Sequence, residues 1–224
     1  MNGLFITSTG TEIGKTFVTA CLCHQLKAAG KPVHAIKAII SGIEDDMTGT
    51  DTAVIAESLG LEPTVSTWNA ISPFRYKAPL APSMAAKLEG KTLDYDALIA
   101  FCRKQLNENP FTLVEGVGGS FVPLNDDKLV ANWIADLKLD SILVAGSYLG
   151  TLSHITATLE AMQARKLPVR AVVISETAGD DHPDFIATIE QVKHWTDIPV
   201  IALPRIKTPD LWRVSPDMLS QLNL

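Results

Sequence analysis

The chain has 224 residues, 46% of them hydrophobic and 20% charged, a balance that supports one compact domain with a single core and excludes a disordered chain. Lys and Arg number 19 against 25 Asp and Glu, and the resulting formal charge of −6 argues against a nucleic-acid-binding surface. No apolar run reaches the roughly 18 residues of a membrane span, no basic region precedes the first apolar residues, and Cys21, Cys23 and Cys102 have neither metal-like nor disulfide spacing; a soluble, cytoplasmic protein with no membrane partner is expected.

Short apolar blocks alternate with longer segments of helical period. Residues 3–7 read as a first strand, followed by a helix over 15–29 in which Val18, Leu22 and Leu26 recur every four residues and which Gly30 and Pro32 stop. Residues 33–40 read as one second strand, apolar on both faces, and Asp51 opens a helix after a polar loop. The stretch 60–92, with Pro63, Pro73, Pro79 and Pro82, predicts long connections and a short helix over 83–89. Strands at 111–114, 141–145, 171–174 and 199–202 are then separated by helical segments near 129–137, 152–165 and 183–196. Such βαβ repetition predicts a single-domain α/β fold over residues 1–224, a doubly wound, mostly parallel sheet of P-loop NTPase type.

In such a sheet, ligands bind beyond the carboxyl ends of the strands, which directs attention to three loops. The first runs Thr7-Ser8-Thr9-Gly10-Thr11-Glu12-Ile13-Gly14-Lys15-Thr16 between a buried strand and a helix, the context of a phosphate-binding loop. Gly14 allows a close turn around phosphate, Lys15 suits the β and γ phosphates, and the Thr16 hydroxyl suits Mg²⁺. The strict pattern G-x-x-x-x-G-K-[ST] is not met, because Thr9 stands where its first glycine belongs; a Gly-Lys-Thr at a helix start is also an ordinary helix N-terminus. In the second loop, Lys37 interrupts an apolar strand, and a buried cation costs several kcal/mol unless an anion neutralises it. The alternative is a lysine that snorkels from an edge strand to water. The third loop, Glu115-Gly116-Val117-Gly118-Gly119-Ser120, puts a carboxylate at a strand end ahead of three glycines, as an acid that holds Mg²⁺ in a nucleotide enzyme would be. Asp51 by itself reads as a helix-start acid.

Together these motifs resemble the dethiobiotin synthetase family from end to end: its G-T-D-T-x-V-G-K-T, K-P-V-x-S-G and E-G-A-G-G patterns stand here as Ser8 to Thr16, Lys37 to Gly42 and Glu115 to Gly119, with Asp51 as the acid after the second loop. The resemblance implies an ATP- and Mg²⁺-dependent reaction of CO₂ with 7,8-diaminononanoate through a carbamate and its phosphoric anhydride to a ureido ring. It implies Lys37, Lys15 and Thr11 as catalytic residues and Thr16, Asp51 and Glu115 as Mg²⁺ ligands. Nucleotide binding falls to Glu12, Ile13, Gly14, Lys15, Thr16, Phe17, Asp51, Glu115, Gly116, Val117 and Gly118, with Ser175, Glu176, Pro204 and Arg205 as the base pocket. Substrate binding falls to Ser41 and, across a homodimer interface, to Gly150, Leu152 and Ser153. The last three are equally explained by plain helix capping. Ser8, Ala38, Ala81 and Ser175 replace a family glycine, proline, serine and adenine-reading asparagine, and a serine bonds fewer edges of a base than an asparagine amide does. A rival reading is a partner-regulated ATPase switch of the same deviant P-loop lineage, which explains the phosphate loop and Glu115 but not Lys37 with Ser41.

Overall fold

The computed structural model describes residues 3–43, 46–179, 181–206 and 211–224. The described residues form the strands β1 (Gly3–Ser8), β2 (His34–Ile36), β3 (Ile39–Ser41), β4 (Phe74–Tyr76), β5 (Thr112–Glu115), β6 (Asp140–Gly146), β7 (Val169–Ser175) and β8 (Val200–Leu203). The helices are α1 (Lys15–Ala28), α2 (Asp51–Leu59), α3 (Val65–Ile71), α4 (Pro82–Leu88), α5 (Tyr95–Glu108), α6 (Val130–Leu137), α7 (Thr151–Ala164), α8 (Phe185–Trp195) and α9 (Met218–Leu222), with a 3₁₀ turn at Leu211–Val214. Six strands make one parallel sheet in the order β2-β5-β1-β6-β7-β8, while β3 and β4 make a separate parallel pair.

The strand alternation decides which helices cover which face. Phe5, Val114, Leu143 and Val172 point to the side packed by α5, α6, α7 and α8, whereas Leu4, Ile6, Leu113, Ile142 and Val173 meet α1, α2 and α9 on the other. Both faces are therefore dry, which is why the strands read as continuous apolar runs. Trp133 of α6 is fully buried and stands edge-on to Phe5, with ring centroids 5.0 Å apart. Among the described residues no helix is long and apolar enough to cross a membrane. The three cysteines are free and buried, and burial pushes each thiol up to about 12.

Two sequence expectations are corrected and two helices are added. The single strand over 33–40 is two: the chain leaves the main sheet after Ile36, where Lys37 N–H donates to Ile71 O at 3.2 Å, and resumes at Ile39 beside Phe74 in the second sheet. Apolar content cannot show this break, because residues 35–40 are buried in both sheets. The stretch 60–92 holds more order than connections and one helix, since α3 and β4 precede α4; Thr64 caps α3 by accepting from Thr67 N–H. Helix α5 is an addition, started by Asp94, which accepts from Ala97 N–H at 2.9 Å, and held by buried Leu98, Ile99 and Cys102. So is α9, which the Gln25 side chain clasps to α1 by accepting from Met218 N–H and donating to Pro216 O.

Trp133→Ala removes the largest fully buried side chain and should cost about 3–5 kcal/mol of unfolding free energy. Urea denaturation checks this; a loss under 1 kcal/mol would mean the α6 face does not anchor the sheet.

Candidate active site

Register explains how the site forms. Ile36, the last residue of β2, is level with Val114 on the neighbouring β5, so the residues that follow, Lys37 just past β2 and Glu115 at the end of β5, emerge side by side at the carboxyl edge. Glu115 is in turn level with Ile6 on β1, two residues before Ser8 and the phosphate loop. The loops after β2, β5 and β1, three neighbours in the strand order, thus converge at the carboxyl edge of one half of the sheet.

The phosphate loop wraps the start of α1 with Glu12 and Gly14 both in the left-handed region, at φ 56° and 96°. Gly14 is required twice over, since a Cβ there would also come within 2.8 Å of Ser175 Oγ. Helix α1 has no side-chain cap and no acid in its first turn, so its opening amides keep their capacity for an anion. Lys15 is buried at 6% exposure and donates to Ser8 Oγ at 2.9 Å and Gly10 O at 3.1 Å, both neutral acceptors. Burial, then the neighbouring Lys37 charge, pulls its pKa down to about 8 against the opposing pull of Glu115 and Asp51.

Lys37 is held differently. Its ammonium, buried at 5% exposure, pairs with Asp51 Oδ2 and with Glu115 Oε1 at 2.8 Å. Burial alone would lower its pKa, but Glu115 and Asp51 outweigh burial and raise it. Lys37 holds the Asp51 carboxyl below its ordinary value despite the opposing effect of burial. Lys37 does not snorkel, and Asp51 is more than a helix-start acid: Thr50 provides the cap of α2, freeing the Asp51 side chain for the ion pair.

Glu115 is fully buried, and both of its oxygens are engaged. Oε1 also accepts from Thr16 Oγ1 at 2.6 Å, and Oε2 from Thr19 Oγ1 at 2.7 Å. Thr19 was not singled out from sequence; its signal is its place one turn after Thr16 on the same face of α1. Gly119 serves the approach of two loops: a Cβ there would lie 3.3 Å from the phosphate-loop backbone, where Ser120 N–H donates to Ser8 O at 2.9 Å.

A cleft of about 660 Å³ opens between these loops. It gathers Thr11, Glu12, Ile13, Gly14, Lys15, Thr16, Lys37, Ser41, Asp51, Val117 and Gly118, and adds a wall from Pro79 to Pro82 that sequence marked only at Ala81. Phe17 does not line it but packs against the core, and Gly116 backs onto the Phe5 ring. Ser175 lies behind Gly14 at the end of β7, and Glu176 Oε2 accepts from Arg205 N–H at 2.7 Å, which draws the turn after Pro204 to the same edge. Gly150, Leu152 and Ser153 stand apart, exposed at the start of α7. The cap position there is Gly150, at φ 97° with no side-chain bond, so Ser153 is not the cap. For a divalent cation the donors are the Thr16 hydroxyl and the Asp51 and Glu115 carboxylates; all are hard oxygens of the kind Mg²⁺ takes together with water and phosphate oxygens. No cluster of three or more His, Cys, Asp or Glu that could hold a metal ion occurs among the described residues.

The profile of a family described as an AAA domain matches residues 2–208. The chain is 42% identical over 192 residues to the ATP-dependent dethiobiotin synthetase of Caulobacter vibrioides, covering 84% of this chain and 85% of that one. It is 40% identical over 190 residues to that of Methylobacterium nodulans, with 82% and 84% covered, and 32% identical over 215 residues to that of Bacillus subtilis, with 96% and 90% covered. Among solved structures it resembles the MinC:MinD cell division protein complex of Aquifex aeolicus, with TM-score 0.57, 15% identity and 95% and 86% coverage. A ParA family ATPase from Chlorobium tepidum gives TM-score 0.53 at 14% identity, with 92% and 86% covered. These last two likenesses establish the fold alone.

Because folding lowers the Lys15 pKa from 10.5 to about 8, the unfolded chain holds that proton more tightly. The cost of burying charged Lys15 is present below pH 8 and is relieved as pH rises toward 10.5. The unfolding free energy of the wild type should therefore gain on that of Lys15→Met across this interval, measured by urea titration at successive pH values. Parallel curves would contradict an uncompensated Lys15.

Proposed function

The chain belongs to the ATP-dependent dethiobiotin synthetase family, and we propose that the cleft between its three strand-end loops is where ATP, CO₂ and 7,8-diaminononanoate react. The observation that carries this reading is the pair of buried lysines at one cleft, Lys15 facing the phosphate loop and Lys37 beside it between two carboxylates.

One amine of the diamine adds to CO₂ and loses a proton, forming a carbamate. A carbamate oxygen then attacks the γ-phosphorus and ADP leaves, giving a carbamic-phosphoric anhydride. The second amine attacks its carbonyl carbon, inorganic phosphate departs with the C–O bond electrons, and loss of a proton completes the ureido ring. No step needs a protein nucleophile, so this chain's task is positioning and charge. Lys15 and the free amides of α1 bind the triphosphate. Lys37 offsets the negative charge where carbamate and γ-phosphate meet, and the Thr11 and Ser41 hydroxyls orient the carbamate and phosphoryl oxygens. Thr16, Asp51 and Glu115 would hold Mg²⁺, which would neutralise charge at the phosphates. Ser175, Glu176, Pro204 and Arg205 form the base pocket.

A homodimer accounts for the exposed start of α7. Gly150, Leu152 and Ser153 are exposed and are not among the residues lining their own cleft, but suit a substrate carboxylate from a second subunit. Leu149 at 83% exposure next to them, and Leu80, Met84 and Leu88 at intervals of four beside the cleft, are the apolar surface such contact would cover. The free cysteines suit the reducing cytoplasm.

Phosphate release with Mg²⁺ and ATP should depend on the diamine and bicarbonate, with the ring-closed ureido product found by mass analysis; diamine-independent hydrolysis would favour a partner-regulated ATPase. Lys37→Gln should lower kcat on the order of 10²–10³-fold, and unchanged turnover would remove Lys37 from the reaction. Asp51→Asn should chiefly raise the Mg²⁺ concentration for half-maximal rate, and an unaltered Mg²⁺ titration would return Asp51 to pairing Lys37 alone.

A further inference from the structure

Ser8, the last residue of β1, has no exposed surface, and its hydroxyl sits at the junction of the phosphate loop and the loop after β5. A lysine ammonium can only donate, so the 2.9 Å contact with Lys15 Nζ makes Ser8 Oγ the acceptor. Its single hydrogen must then go to a carbonyl, and two are in reach: Gly10 O at 2.6 Å and Gly118 O at 2.8 Å. Gly10 O also accepts from Lys15 at 3.1 Å. The phosphate loop thus takes two of the three ammonium hydrogens with neutral acceptors, leaving the third for the cleft that Lys15 lines. An alanine or glycine at position 8 would provide no acceptor, and Lys15 would be tied by one carbonyl only.

We propose that Ser8 is a positioning residue for phosphate binding: its hydroxyl bridges the loops after β1 and β5 and aims the Lys15 ammonium at the β and γ phosphates of the nucleotide. The contrast with Lys37 shows why a neutral partner suits this task. A carboxylate in place of Ser8 would orient Lys15 equally well but would cancel the charge that attracts phosphate, as Asp51 and Glu115 do for Lys37. Ser8 supplies direction without neutralisation. The backbone already fixes Ser8, since its carbonyl accepts from both Ser120 N–H at 2.9 Å and Ser120 Oγ at 3.1 Å, so the hydroxyl oxygen is free to accept from Lys15.

This inference rests on the cleft being the nucleotide site, and the experiment separates the two claims. ADP and AMP affinities are measured by calorimetry on the wild-type chain, Ser8→Ala, Lys15→Met and the double variant. Ser8→Ala should weaken ADP on the order of tenfold, the scale of one hydrogen bond to a charged group. It should leave AMP, which lacks the phosphates that Lys15 meets, within about twofold by the same reasoning, and should cost nothing further in the Lys15→Met background. Ser8→Thr, which keeps the hydroxyl, should restore ADP affinity, and Ser8→Gly removes the same group should Ser8→Ala not fold. Equal weakening of ADP and AMP, or an undiminished loss in the Lys15→Met background, would mean Ser8 shapes the loop without acting through Lys15, and overturns the proposal. An unchanged ADP affinity overturns it too. A wild-type chain that binds no ADP overturns the nucleotide assignment and this proposal with it.

Discussion

Two lysines are buried within one cleft, and the difference in how their charges are met organises the site. An ammonium taken out of water must find compensation, and the sheet edge provides it for Lys37 through Asp51 and Glu115. Lys15 receives only a hydroxyl and a carbonyl. The site therefore holds one satisfied cation and one left wanting an anion, and a polyphosphate is the anion that the bare start of α1 and the left-handed turn at Gly14 are shaped to accept. The depressed pKa of Lys15 and the raised pKa of Lys37 are two expressions of this same asymmetry.

The fold supplies the asymmetry through register. β2 lies beside β5 with Ile36 opposite Val114, so Lys37 leaves the sheet next to Glu115, and the break before β3 turns its side chain toward α2 and Asp51 instead of water. β1 lies on the other flank of β5, and its last residue reaches Lys15 through a hydroxyl. Glu115, at the middle, links Lys37, Thr16 and Thr19, so one buried carboxylate couples the second strand to the first helix. A carbamate and a triphosphate repel one another, and catalysis of their union asks for charge placed before either arrives. Burial within a dry, double-faced sheet keeps that charge placed.

The sequence was most informative where one residue type has one cheap explanation. A lysine inside an apolar strand, a glutamate at a strand end and Gly-Lys-Thr at a helix start each pointed to the cleft, and all three line or support it. Thr9 stands in place of the first pattern glycine without strain, because the left-handed turns fall at Glu12 and Gly14. Legibility failed where burial has more than one cause. The run 33–40 is apolar for two different sheets, so its break was invisible, and of the glycines after Glu115 only Gly118 lines the cleft, Gly116 backing onto Phe5 and Gly119 onto the phosphate-loop backbone. Thr19 and Ser8 were opaque for another reason: a hydroxyl in a core helix or strand is usually satisfied locally, and only three-dimensional proximity shows that these two serve Glu115 and Lys15.

The central claim is that Lys15 is an uncompensated cation until phosphate arrives, and proton uptake on nucleotide binding reads it directly. With a Lys15 pKa near 8 in the free protein, ADP binding at pH 8 should draw in about half a proton per site as phosphate restores the charged form. Calorimetry of ADP binding in buffers of different ionisation enthalpy measures this number. The account predicts uptake by the wild type that is absent in Lys15→Met; no uptake, or the same uptake in both, would contradict it.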